Sequence, residues 1–82
     1  MIKGSILVVD DDRNIREYLS TFLTSCGYNV ECAAAGDEAI ARVSGGHTPS
    51  MILLDIMLPG MDGLEVMKSL KAAHPSMPIV IL

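Results

Sequence analysis

Two groups of carboxylates stand where chemistry is easily done. Asp10, Asp11 and Asp12 follow the apolar run Ile6-Leu7-Val8-Val9, and Asp55 follows the apolar run Met51-Ile52-Leu53-Leu54. Each run has the length and composition of a strand covered on both faces. If the two strands run parallel, their ends share one edge of a sheet and the acids meet there. At about 4 Å, a pair of like charges costs about 1 kcal/mol in water and about 4 kcal/mol at a protein-surface dielectric. A divalent cation removes that repulsion, and an all-oxygen donor set suits Mg²⁺, with Mn²⁺ as the alternative. These residues therefore offer a metal site with a reactive aspartate beside it.

Several features have simpler explanations. Asp10 by itself can be a satisfied loop acid. Asp12 fits a helix N-cap, and Asp62 fits a turn former bonded to its own backbone. The weight falls on Asp10, Asp11 and Asp55 together, because they end separate strands. Cys26 and Cys32 are expected to be reduced, buried thiols. Their spacing to His47 and His74 matches no zinc pattern. Gly45-Gly46 lacks the Lys-Ser/Thr of a phosphate-binding loop. The Met51, Met57, Met61, Met67 and Met77 series reads as core and loop packing, and Lys68 and Lys71 as a solvated helix face.

The elements that must position the acids follow from periodicity. Residues 5–9 form a first strand. Ile15, Tyr18, Leu19, Phe22, Leu23 and Cys26 recur at steps of three and four, which marks one helical face between Asp12 and a stop at Gly27. Residues 29–34 fit a second strand. Ala39, Ile40 and Val43 mark a short helix that opens with Asp37 and Glu38. Residues 44–49 form a loop, and residues 51–54 a third strand. A dense turn signal runs from Pro59 to Gly63. Leu64, Met67, Leu70 and Ala73 stripe a third helix that stops near His74-Pro75. Residues 79–82 form a fourth strand. Strict strand–helix alternation implies right-handed crossovers and a parallel sheet, and such sheets bind ligands beyond the carboxyl ends of their strands.

The chain has 82 residues, half of them hydrophobic, with a formal net charge of −4. That length suits one small domain. The sequence pI of about 4.8 leaves no basic stripe for nucleic acid. No apolar stretch reaches the roughly 20 residues of a membrane span, and Met1-Ile2-Lys3-Gly4 opens without a signal-peptide pattern. A cytoplasmic location is expected.

With these residues in place, the chain resembles the receiver domain of two-component response regulators. The resemblance is carried by Ile6-Leu-Val-Val-Asp-Asp-Asp12, by Gly27-Tyr28, by Leu54-Asp-Ile-Met-Leu-Pro-Gly-Met-Asp-Gly-Leu-Glu-Val66, and by Pro78-Ile-Val-Ile-Leu82. It implies a flavodoxin-like, doubly wound α/β fold with a parallel sheet, here in the order 2-1-3-4. It implies that Asp55 is the phosphoacceptor, taking a phosphoryl group from a sensor histidine kinase or a phosphotransfer protein. It implies Mg²⁺ held by Asp11, Asp10, Asp55 and the backbone carbonyl of Met57, in a signalling domain rather than an enzyme.

The same resemblance sets residues 1–82 as the N-terminal two-thirds of such a domain, with no output domain. The hydroxyl residue that follows the family's fourth strand and the Lys that ends its fifth are absent from the sequence. A receiver so shortened is expected to be an impaired phosphoswitch. Strands three and four are expected to have a bare apolar face, favouring a homodimer, with exchanged elements as one form of it. Two alternatives stand beside this expectation. A phosphatase of the haloacid-dehalogenase type would use the Asp10-x-Asp12 pair with Mg²⁺, but leaves the Leu54–Val66 block without a purpose. A degenerate receiver would act only as an interaction module.

Overall fold

The computed structural model describes residues 3–46, 48–58 and 60–82. His47 and the Pro59 start of the expected turn lie outside the described residues, as do Met1 and Ile2. The elements alternate as β1 (Ser5–Val9), α1 (Arg13–Ser25), β2 (Asn29–Ala33), α2 (Gly36–Ser44), β3 (Met51–Leu54), α3 (Gly63–Ala73) and β4 (Ile79–Ile81). All strand pairings are parallel and the strand order is β2-β1-β3-β4. This is the flavodoxin-like order expected of the four strands.

Chain alternation sorts the strand residues between two faces. Leu7, Val9, Ala33, Ile52 and Leu54 point to one side, where they form a continuous core with Ala39 and Val43 of α2 and Val66 and Leu70 of α3. α1 lies on the other side, over β2 and β1. Ile6 and Val8 are buried there, whereas Val80 and Leu82 stay exposed.

The helix ends follow local chemistry. Asp12 accepts from the N–H groups of Asn14 and Ile15 and so caps α1. At the other end, Tyr28 N–H reaches the Leu23 carbonyl and Gly27 N–H the Thr24 carbonyl. Gly27 has φ +99°, so the chain leaves the helix through a left-handed glycine. Asp62 caps α3 by accepting from Leu64 N–H, and His74 closes it.

Three expectations change. Leu64 is 45% exposed and Val66 fills the core in its place, because α3 turns Gly63, Val66 and Leu70 inward. Of the α1 stripe, Ile15, Tyr18 and Phe22 are exposed, because that stripe is wider than the strip of sheet beneath it. Cys26 and Cys32 are free, as expected, but half-buried rather than buried.

Candidate functional site

Backbone ladders bring the acids to one place. Asp10 N–H donates to the Ala33 carbonyl at 3.1 Å, and Asp55 N–H donates to the Val9 carbonyl at 2.9 Å. Both residues thus continue the pairing of their strands, one step past the carboxyl ends of β1 and β3. A carboxylate oxygen from each of Asp10, Asp11 and Asp55 lies within 4.8 Å of the others. The three span a gradient of exposure: Asp10 is 4% exposed, Asp55 half-buried and Asp11 exposed.

Local hydrogen bonds orient the cluster. Asp12 N–H donates to Asp10 Oδ1 at 2.9 Å, which turns the buried carboxylate toward the start of α1. Arg16 Nη1 donates to the Asp10 carbonyl oxygen at 2.8 Å, anchoring the Asp10 backbone from one turn inside α1. Met57 N–H donates to Asp55 Oδ1 at 2.9 Å, so the backbone just past the acid folds back onto it. The Met57 side chain itself is 82% exposed and packs into no core.

The electrostatics describe an uncompensated acid pocket. Burial pushes the Asp10 carboxyl above its ordinary range. The Asp12 amide pulls it back, while the charges of Asp55, Asp11 and Asp12 push it further up. Among the described residues, no Lys or Arg forms an ion pair with Asp10, Asp11 or Asp55. The nearby Arg16 spends its bond on a carbonyl rather than a carboxylate. Three close oxygens without a cationic partner, one of them buried, match a hard divalent cation in charge and donor type.

Asp10, Asp11 and Asp55 are therefore brought together as their spacing suggests. Asp12 and Asp62 serve as caps. One contributor escaped the sequence: Arg16 carried no signal beyond a charge one turn into α1.

Known proteins resemble this chain in sequence and fold. Residues 6–82 match the response regulator receiver domain. The response regulator MprA of Mycobacterium sp. (strain KMS) is 44% identical over 77 residues, covering 94% of this chain and 33% of that protein. The chain thus spans about a third of the length of the curated relatives it matches. Among solved structures, the response regulator TrrA from Thermotoga maritima in complex with Mg²⁺-BeF superposes with a TM-score of 0.89 at 37% identity, covering 99% of this chain and 68% of that one. The N-terminal domain of a response regulator receiver protein from Methanoculleus marisnigri gives a TM-score of 0.89 at 33% identity, with 96% and 65% covered. Among the described residues, no helix is long and apolar enough to cross a membrane. The chain belongs to the response regulator receiver domain family of two-component systems.

Proposed function

We propose that Asp55 accepts a phosphoryl group from a sensor histidine kinase or a phosphotransfer protein. The observation that carries this reading is the convergence of the Asp10, Asp11 and Asp55 carboxylates within 4.8 Å at the carboxyl ends of β1 and β3. Asp10, Asp11, Asp55 and the Met57 carbonyl would hold Mg²⁺. Bound there, the ion would neutralise negative charge as the phosphoryl group is transferred.

The chain's own residues do the rest. Met57 N–H engages Asp55 Oδ1, which leaves Oδ2 to attack phosphorus as a carboxylate nucleophile. An O–P bond forms as the N–P bond of the phosphohistidine breaks. The electron pair stays on the imidazole nitrogen, which takes a proton from water. The product is a mixed anhydride, prone to hydrolysis, and so suited to a transient signal. Asp10 and Asp11 supply negative charge that makes the pocket selective for a cation before the phosphoryl group arrives. MprA and TrrA are named as response regulators, and the Mg²⁺-BeF bound to TrrA supports the same chemistry here.

The test is labelling with phosphoramidate in MgCl₂, followed by intact mass. We expect one phosphoryl group on the wild type, none on Asp55→Asn, and none in excess chelator. Labelling that survives Asp55→Asn would sink the assignment. Turnover of a generic phosphate ester, lost in Asp10→Asn but kept in Asp55→Asn, would favour the dehalogenase-type alternative.

We further infer that the 82-residue chain pairs with a second copy. Val80, Leu82, Ile15, Tyr18 and Phe22 leave an exposed apolar surface beside the short β4 strand, a combination that favours association. Light scattering at high micromolar concentration is expected to give a dimer. A clean monomer overturns the inference.

A further inference from the structure

We propose that Gly63 is a positioning residue for the acceptor site, a role that rests on the phosphoacceptor assignment of Asp55. The observation lies in the segment that leaves β3. Ile56 stands between Asp55 and Met57 in the chain. Gly63 N–H donates to the Ile56 carbonyl at 3.1 Å, drawing the loop back onto the start of α3. A Cβ placed on Gly63 would fall 2.5 Å from the Ile56 carbonyl oxygen and 2.6 Å from its carbonyl carbon, with the Ile56 Cα closer still. All of these partners are backbone atoms, so no side-chain rotation makes room.

α3 is a firm support for this contact. Val66 and Leu70 anchor the helix in the core at 0% and 1% exposure. Asp62 holds its first turn, its side chain accepting from Leu64 N–H and its carbonyl from the N–H groups of Glu65 and Val66. A side chain at position 63 therefore cannot push the helix away and must displace Ile56 instead. Ile56 is bonded directly to Met57, whose N–H holds Asp55 Oδ1. The structural path is short: Gly63 sets Ile56, Ile56 sets Met57, and Met57 orients the acceptor carboxylate.

Gly63 is not there to favour the helix. Alanine is the better helix former by about 1 kcal/mol. Nor is Gly63 in the left-handed region; the described glycines with positive φ are Gly4, Gly27, Gly46 and Gly60. Closeness of backbone to backbone is what requires it. Gly36 provides the contrast. It is also tightly packed, but the atoms nearest a Cβ there belong to the side chains of Val66 and Met61.

The experiment compares Gly63→Ala with Gly36→Ala, reading Mg²⁺ affinity by calorimetry and the Met57 amide by nuclear magnetic resonance. Gly63→Ala is expected to weaken Mg²⁺ binding by about 10- to 100-fold, as loss of an outer support to a ligand does. It is also expected to move the Met57 amide resonance from its carboxylate-bonded position. Gly36→Ala crowds the Val66 side chain rather than the Ile56 backbone, so it is expected to lower stability while the Met57 amide keeps its carboxylate-bonded position. Unchanged Met57 resonance and Mg²⁺ affinity in a folded Gly63→Ala chain overturn the proposal. Should Gly63→Ala fail to fold, hydrogen exchange of the wild type decides. The Gly63 and Met57 amides are expected to open together, and free exchange at Gly63 beside protection at Met57 overturns it. Absence of Mg²⁺ binding in the wild type would instead refute the acceptor assignment, while the Met57 resonance would still report on the Gly63 contact.

Discussion

The two faces of the sheet are held by different means. On one side, α2 and α3 close over β1, β3 and β2 and build the core from Leu7, Val9, Ile52, Leu54, Ala39, Val43, Val66 and Leu70. On the other, α1 lies alone and has no fully buried residue. The helix ends do not follow the same division. α1 carries a two-bond Asp12 cap and a left-handed Gly27 exit; on the packed side α3 has its own Asp62 cap, and α2 begins at Ala35 with no side-chain cap bond. Packing supplies most helical stability, so α1, with no fully buried residue, leans on its ends more than α2 and α3 do. The comparison teaches that the acid pocket is assembled from both regimes: Asp55 hangs from the packed side through β3 and α3, and Asp10 and Asp11 from the junction of β1 with the less packed α1.

That contrast can be tested by substitution. The largest loss is expected on the closed face, where Ile52→Ala should cost about 2–5 kcal/mol in urea unfolding, the range for an emptied aliphatic core site. For a domain of this size, that approaches total stability. Next comes Asp12→Ala, expected to cost about 1 kcal/mol through the lost cap. A cost near zero would show that α1 is held by packing after all, and would erase the difference between the faces.

A smaller effect, of opposite sign, is expected from Asp10→Asn in chelator. Burial raises the folded Asp10 carboxyl above the ordinary aspartate value of 3.8. Between those two values the folded chain holds more protons than the unfolded one, so this group lowers stability as pH rises through the window. Asn Oδ1 still accepts from Asp12 N–H, yet carries no charge. The variant should therefore match wild type in strong acid and become the more stable of the two as pH rises. Added Mg²⁺ should narrow or reverse that gap. The smallest effect belongs to the open face. Leu82→Ala should alter unfolding by no more than about 0.5 kcal/mol, the usual range for an exposed position, and should act on self-association instead.

Much of this was legible in the residues. The four apolar runs, the Asp12 cap, the Gly27 exit and the acids ending β1 and β3 are local signals, and each element appeared within a residue or so of its expected bounds. Less legible was which side of a helix turns inward. Leu64 fits an apolar stripe with Met67 and Leu70 as well as Val66 fits one with Gly63 and Leu70. Periodicity cannot separate two stripes that overlap on the same helix. Tertiary packing does, because Val66 and Leu70 enter the core while Gly63 meets the Ile56 backbone.

The sequence by itself determined the alternation of elements, their ends and the identity of the three acids, since these depend on neighbours a few residues away. Only the tertiary structure decided that a carboxylate oxygen from each of Asp10, Asp11 and Asp55 lies within 4.8 Å of the others, that Arg16 supports the Asp10 backbone, and that half of the α1 stripe faces outward. Those outcomes depend on how strands stack in register and how much sheet each helix covers. Both are set by contacts between residues far apart in the chain, where no local pattern reaches.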